Sequence, residues 1–381
     1  MTESYLDNAA TTKVDEEAAA LIGRIMLEDY GNPSSLHRKG FEAEKYIREA
    51  KETFSHILRC RENEIFFTSG GTESDNLALI GAYMANKRRG NHIIISSVEH
   101  PAVAKTADFL ESRGARVDRL AVDEKGHVDL EQLMNCLDDE TILVSVMQIN
   151  NEIGALEPIR EIGEIIHEKQ PECLFHVDDI QGFGKLRLIP GECHIDMISV
   201  SGHKIHGPKG IGLFYKSERA KVSPLIHGGG HQNGMRSGTE NVPGIAAFAM
   251  AAKKAYSDLE NGYEHMKRLK EIFINETGGI EDTVINGGDV PYIISYSVKN
   301  VRSEVLLHTL EESGVYVSAG SACASNKPAV SATLKAIGVK PWQLESTIRI
   351  SFSAHTTEDE VIYAAQKIKE AVPRLRRFVR R

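Results

Sequence analysis

From Glu64 to Tyr215 the chain alternates short β-branched runs with amphipathic stretches, and this alternation limits the possible folds more than any other feature. Ile65–Thr68, Ile93–Ser96, Val117–Ala121, Ile142–Val146, Leu174–Val177, Met197–Val200 and Gly212–Tyr215 read as strands. Ala102–Arg113 and Ile159–Glu168 carry apolar residues at helical spacing. Such a pattern predicts βαβ units in an α/β fold with a mostly parallel sheet, because parallel neighbours need a long crossover. A sheet covered on both faces also accounts for the unbroken apolar run Ile93-Ile94-Ile95. One long helical pattern opens near Val242 and continues past Arg268. After Gly278 the pattern becomes strand–helix–strand: Ile293–Val298, Glu304–Glu312, Val315–Ser318, Ile348–Phe352 and Glu358–Lys369, a smaller α+β lobe. A length of 381 residues accommodates both parts, and no internal repeat interrupts them.

The charge balance, 45 Lys and Arg against 54 Asp and Glu, leaves a net −9 and argues against general nucleic-acid binding, which needs a basic surface. The Arg cluster from Arg374 to Arg381 reads as a solvated helix end. The first seven residues lack the basic and apolar regions of a secretory signal, and no run reaches the ~18 apolar residues of a membrane span. Cys60, Cys136, Cys173, Cys193 and Cys323 form no CxxC pair, which suits free thiols in a reducing compartment better than a disulfide framework or a metal site. A cytoplasmic protein without a metal is expected.

Chemistry concentrates at predicted strand ends, where open α/β sheets bind ligands. Thr68-Ser69-Gly70-Gly71-Thr72-Glu73-Ser74 joins a strand to a helix; its glycines let backbone amides approach an anion, although Ser and Thr there could simply cap the helix. His176-Val177-Asp178-Asp179-Ile180-Gln181 offers a carboxylate for a protonated heteroaromatic nitrogen and an amide for a ring hydroxyl; a polar loop is the plain alternative. In Ser201-Gly202-His203-Lys204-Ile205-His206-Gly207-Pro208-Lys209-Gly210, a lysine fixed between small residues after a buried strand invites a Schiff base. His100, in Ser97-Val98-Glu99-His100, could stack on a flat ring and move protons, or be a loop residue only.

These segments, with Asn150-Asn151-Glu152-Ile153-Gly154, resemble the cysteine desulfurase family of fold-type-I pyridoxal phosphate (PLP) enzymes, related to class V aminotransferases. The likeness runs from Tyr5-Leu6-Asp7-Asn8-Ala9-Ala10-Thr11-Thr12 to about Glu360. It includes Tyr30-Gly31-Asn32-Pro33-Ser34-Ser35, His227-Gly228-Gly229-Gly230-His231 and Met235-Arg236-Ser237-Gly238-Thr239-Glu240-Asn241. It implies a fold-type-I transferase with a large PLP-binding domain over 13–255. A small α+β domain over 1–12 and 256–381 would carry the cysteine loop. Lys204 is implied to hold the cofactor, Asp178 its ring nitrogen, Gln181 its ring oxygen and His100 its face. Gly71, Thr72, Ser201 and His203 would bind the phosphate, joined by Thr239 of a second subunit in a homodimer.

The segment Ser318-Ala319-Gly320-Ser321-Ala322-Cys323-Ala324-Ser325 resembles that of group I members, in which this cysteine takes the sulfur as a persulfide. Taken alone, a thiol among small residues is equally a structural cysteine, the reading given to the other four. Arg349 matches the arginine that grips the substrate carboxylate with two parallel hydrogen bonds, with Asn151 and Asn32 completing the pocket. The expected reaction converts L-cysteine to L-alanine, Cys323, Lys204 and His100 being the catalytic residues, and delivers sulfur to an acceptor protein for iron–sulfur assembly or thiolation. A selenocysteine lyase, a cysteine C–S lyase or a weakly active sulfur-relay subunit are the alternatives. The relay is raised by Asp179, where the family carries a small residue that lies against the ring.

Overall fold

The computed structural model describes residues 3–319 and 330–377. Cys323 lies outside them. After a two-residue strand β1 (Ser4–Tyr5), helices α1 (Glu16–Leu27) and α2 (Arg38–Leu58) lead into the main sheet. Its strands are β2 (Ile65–Thr68), β3 (His92–Ser96), β4 (Arg116–Leu120), β5 (Thr141–Ser145), β6 (Leu174–Asp178), β7 (Met197–Ser201) and β8 (Gly212–Lys216). Interleaved helices are α3 (Gly71–Asn86), α4 (Pro101–Glu111), α5 (Leu130–Cys136) and α6 (Ile159–Lys169). The strand order is β2-β8-β7-β6-β5-β3-β4, with β8 antiparallel to both of its neighbours and the other pairs parallel. The seven strands lie within a residue or so of their sequence-predicted bounds; β3, β5, β6 and β7 are buried along their whole length, whereas the edge strand β4 exposes Arg116 and Arg119.

Two apolar layers sandwich this sheet. On one face Phe54 of α2 meets Phe248 at 4.7 Å and packs with Val144, Phe175 and Val177 of the sheet. On the other, Leu77 of α3 and Val103 and Leu110 of α4 cover Ile93, Ile95 and Leu143. Burial of each such side chain contributes about 1.5–3 kcal/mol.

Where one long helical pattern was expected, the chain forms α7 (Val242–Ser257) and α8 (Leu259–Thr277), broken at Asp258, whose φ −133° and ψ 29° are not helical. The expected strand Val315–Ser318 is likewise divided between sheets. Its first half, β11 (Val315–Tyr316), pairs in parallel with β1, while β12 (Ser318–Ala319) joins a sheet of order β12-β13-β10-β9. That sheet contains β9 (Thr283–Asn286), β10 (Ile293–Val298) and β13 (Thr347–Ser351), and it packs with α9 (Ser303–Glu311) and α12 (Glu358–Arg376) around Phe273, Tyr296 and Val361. Short helices α10 (Ala332–Ala336) and α11 (Pro341–Ser346) precede β13. The N-terminal segment connects the two sheets. It pairs with β11, bridges Asp7 to Ser351, and then donates from the Thr12 amide to the His203 carbonyl at 2.9 Å. Among the described residues no helix is long and apolar enough to cross a membrane.

Candidate active site

Strands β2, β3, β6 and β7 deliver their following residues to the same end of the sheet. Asp178 is the last residue of β6, and β7 ends at Ser201, directly before a single 3-10 turn, Gly202–Lys204. β2 feeds α3, whose N-terminus at Gly70 has no side-chain cap, so its first amides remain open to an anion. After β3, His100 caps α4: its Nδ1 accepts from the Ala102 amide at 3.1 Å. The proton of a neutral imidazole therefore sits on Nε2. Burial, helped by the Lys204 charge, holds His100 down to about 4, so this neutral form prevails near pH 7.

A cavity of about 240 Å³ gathers Gly71, Thr72, His100, Asn151, Asp178, Gln181, Ser201, His203, Lys204 and Arg349. Lys204 Nζ donates to the carbonyls of Ala9 at 2.6 Å and Ala10 at 2.7 Å, and Gln181 Nε2 donates to Ala9 at 2.9 Å. His203 Nδ1 lies 3.1 Å from Thr11 Oγ1. Beside this cavity the α3 N-terminus, Thr72, Ser201, His203 and Lys209 line a cleft. Arg236 fixes the entry to it: its Nε donates to Glu73 Oε1 at 3.0 Å, while Glu73 Oε2 accepts from the Ser69 amide at 2.9 Å.

Arg349 is buried rather than at a sheet edge, since β13 runs between β10 and β12. Its Nη1 donates to the Asn151 carbonyl at 2.8 Å and its Nη2 to Asp7 Oδ1 at 2.8 Å, while its buried Nε has no partner among the described residues. Asn150 folds the turn that presents Asn151: its Oδ1 accepts from the amides of Glu152 at 2.9 Å and Ile153 at 3.0 Å. The described residues flanking the Cys323 segment reach the same place. Ser318 pairs with Arg349 in the sheet, and Ser331 Oγ donates to Glu152 Oε2 at 2.5 Å.

Two predicted positions are not brought into this cavity. Asn32 is exposed and its Oδ1 accepts from the Ser34 amide at 2.9 Å; Thr239 is exposed on the loop before α7. Asp179 is buried but does not line the cavity; Ile180 does, and a Cβ at Gly71 would come within 2.1 Å of Ile180 Cδ1. Crowding of the ring by Asp179 is therefore not what the geometry shows. Burial, with the neighbouring Asp178 charge, raises the Asp179 carboxyl well above its ordinary range, and Lys185 opposes this from the side away from the cavity.

Sequence reasoning missed Asp7, Ala9 and Ala10 as partners of Arg349 and Lys204, and it missed Asp75. A buried charge on the same face of α3 as Ala78, Leu79 and Ala82 was the available signal for Asp75.

The residues fit PLP. The uncapped helix end suits a phosphate, buried Asp178 suits a cationic ring nitrogen, and Gln181 Oε1 is a buried acceptor without a partner among the described residues.

A family model, aminotransferase class-V, matches residues 4–363. The chain belongs to this family. Among class-V relatives, the cysteine desulfurase IscS of Neisseria meningitidis is 41% identical over 381 residues, covering 98% of this chain and 93% of that protein. The cysteine desulfurase IscS of Methanosarcina thermophila is 39% identical over 375 residues, covering 98% and 92%. A solved NifS-like protein superposes with a TM-score of 0.92 at 36% identity, covering 98% of this chain and 100% of that one. SspA, solved in complex with cysteine, gives 0.82 at 32% identity over 93% and 100%. The class-V architecture here is thus the fold-type-I arrangement of a large, mostly parallel sheet with a smaller sheet beside it.

Proposed function

We propose that this chain is a PLP-dependent cysteine desulfurase that converts L-cysteine to L-alanine and receives the sulfur on Cys323 as a persulfide. The carrying observation is one cavity holding Lys204, Asp178 and Arg349, in a chain about two-fifths identical to named cysteine desulfurases over nearly its whole length. Lys204 would hold the cofactor, Asp178 its ring nitrogen, Gln181 its ring oxygen and His100 its face. Gly71, Thr72, Ser201 and His203 would hold the phosphate, with Thr239 contributed by the other copy of a homodimer. When bound, PLP supplies a reactive aldehyde and a ring that accepts electron density from the substrate Cα.

The chain's own groups then divide the work. Arg349 takes the substrate carboxylate, exchanging contacts now made to Asp7 and the Asn151 carbonyl. Lys204 Nζ moves the Cα proton, and His100, with its proton on Nε2, exchanges one with the substrate thiol. Cys323, as thiolate, forms the new S–S bond while the substrate Cβ–S bond breaks; the electron pair stays with Cβ, which is protonated on the way to alanine. The four described cysteines are poor candidates for this step because burial raises each thiol, Cys60 and Cys173 to about 12.

Nothing in the position of Asp179, buried away from the cavity, favours the weakly active relay over a working enzyme. The sulfur acceptor belongs to iron–sulfur assembly or to a thiolation route, and the setting is the cytoplasm. Lys204→Ala should abolish the visible absorbance of covalently held PLP. Cys323→Ala should keep that absorbance and lose alanine formation from cysteine, and alanine formed at the wild-type rate in Cys323→Ala would refute the role of that thiol.

A further inference from the structure

Directly below the cofactor cavity, α3 places a second carboxylate against Asp178. Asp75 is fully buried, and among the described residues neither of its oxygens has a hydrogen bond of good geometry, although the Ser199 hydroxyl lies close enough to act on the carboxyl. Oxygens of Asp75 and Asp178 and a ring nitrogen of His100 all lie within 4.8 Å of one another. Two buried carboxylates this close do not readily both ionise, because each charge raises the cost of the other. Among the described residues the one cation that bears on the pair is Lys204, and it acts on Asp178. His176, the closest imidazole, has Nε2 3.7 Å from Asp75 Oδ1, but its two nitrogens are already engaged by Ser145 Oγ at 2.8 Å and Ser199 Oγ at 2.9 Å. Burial holds His176 down to about 3, so it stays neutral. Glu99 and His100 ahead of α4 complete the facing groups. Glu99 is itself buried and raised, and Lys204 acts on Asp178 rather than on Asp75. Of the two acids, Asp178 has the better support for a charge: its Oδ1 accepts from the Ile180 amide at 3.0 Å and Lys204 stabilises its anion. Asp75 is raised by burial first and by the Asp178 charge second, with the Ser199 hydroxyl working weakly the other way.

We propose that Asp75 is a positioning residue that carries the single proton of this carboxyl pair, acting as a neutral donor that keeps Asp178 anionic at the cofactor site. The proposal deepens the PLP reading of the same site, since the anion it maintains is the one that would face the ring nitrogen. An aspartate at position 75 thus serves Asp178 as an acid rather than as a charge, and asparagine, neutral and able to donate, is its closest mimic.

Infrared difference spectra of cofactor-free protein at pH 7, wild type minus Asp75→Asn, test the proton directly. A protonated-carboxyl band present in wild type and lost in the variant is expected; its absence from wild type would overturn the proposal. This arm needs no cofactor, so it stands even if the protein binds no PLP, an outcome that would instead defeat the functional reading. In the holoprotein, Asp75→Asn should retain PLP with near wild-type affinity and an unshifted pH titration of the visible band. Asp75→Leu, which cannot donate, should weaken PLP binding about tenfold or more, the loss expected for one hydrogen bond to a charged group. Equal weakening in both variants, or a Leu variant that binds like wild type, would contradict the assignment. Should Asp75→Leu fail to fold, the infrared arm decides alone.

Discussion

Asp178 and Lys204 are legible in the sequence for one physical reason: Asp178 closes a strand and Lys204 follows one, and the apolar runs of those strands place them at the end of a sheet without coordinates. Arg349 lies in the middle of β13 and is legible only through the family resemblance. The direction of a side chain one residue beyond a strand is harder to read. Asp178 and Asp179 point to opposite sides, and the residue facing the cavity is Ile180. Asp179 consequently sits among Lys185, Tyr256 and Tyr292, with both side-chain oxygens lacking partners among the described residues. Its folded-state pKa is raised, so its contribution to stability is most favourable below the unfolded value near 3.8 and is lost as pH rises above that. Asp179→Asn removes the cost of keeping a buried carboxyl protonated at pH 7, so it should stabilise the protein there by roughly 1–3 kcal/mol, and the gain should shrink toward pH 4. Thermal melts of the two proteins across that range check the sign; a variant less stable at pH 7 would show that Asp179 and Lys185 act as a needed charge pair.

At the scale of elements, strands could be placed closely because their signal is local, whereas the break between α7 and α8 had none. Asp258 carries no Gly or Pro beside it, and the interruption comes from the two helices packing against different partners, α7 on α1 and α2 and α8 on α12. The division of Val315–Ala319 between two sheets is equally tertiary in origin, because β1 arrives from the other end of the sequence. For α3 the local signal is reliable. Glycine at 71 gives the open N-terminus a close approach to Ile180, which any larger side chain must push away. Gly71→Val should raise the Kd for PLP about tenfold, or ~1.4 kcal/mol, while the apoprotein keeps its secondary structure. Equilibrium titration of the apoprotein followed by absorbance, with circular dichroism as control, would register this; unchanged affinity would mean that the phosphate does not use this helix end.

On the scale of the whole molecule, the exposed Thr239 marks the one proposed cofactor contact that a single copy does not bring to its own cavity. No periodicity could have revealed this, since a contact between copies leaves no trace in the spacing of one chain. A homodimer with shared sites predicts complementation. Thr239→Ala and Lys204→Ala, each impaired alone, should recover activity when coexpressed, because one site of the mixed dimer then has both an intact Lys204 and an intact Thr239. Lack of recovery in verified mixed dimers would place Thr239 outside the partner's site.

Movement of sulfur from substrate to Cys323 is the step that defines the proposed reaction, and a single turnover tests it. After reaction of the PLP-loaded enzyme with one equivalent of L-cysteine, peptide mass spectrometry without reductant should find one added sulfur atom on the Cys323 peptide, matched by an equal amount of alanine. Alanine formed with the added sulfur on Cys60, Cys136, Cys173 or Cys193, or released with none on any cysteine, would contradict it.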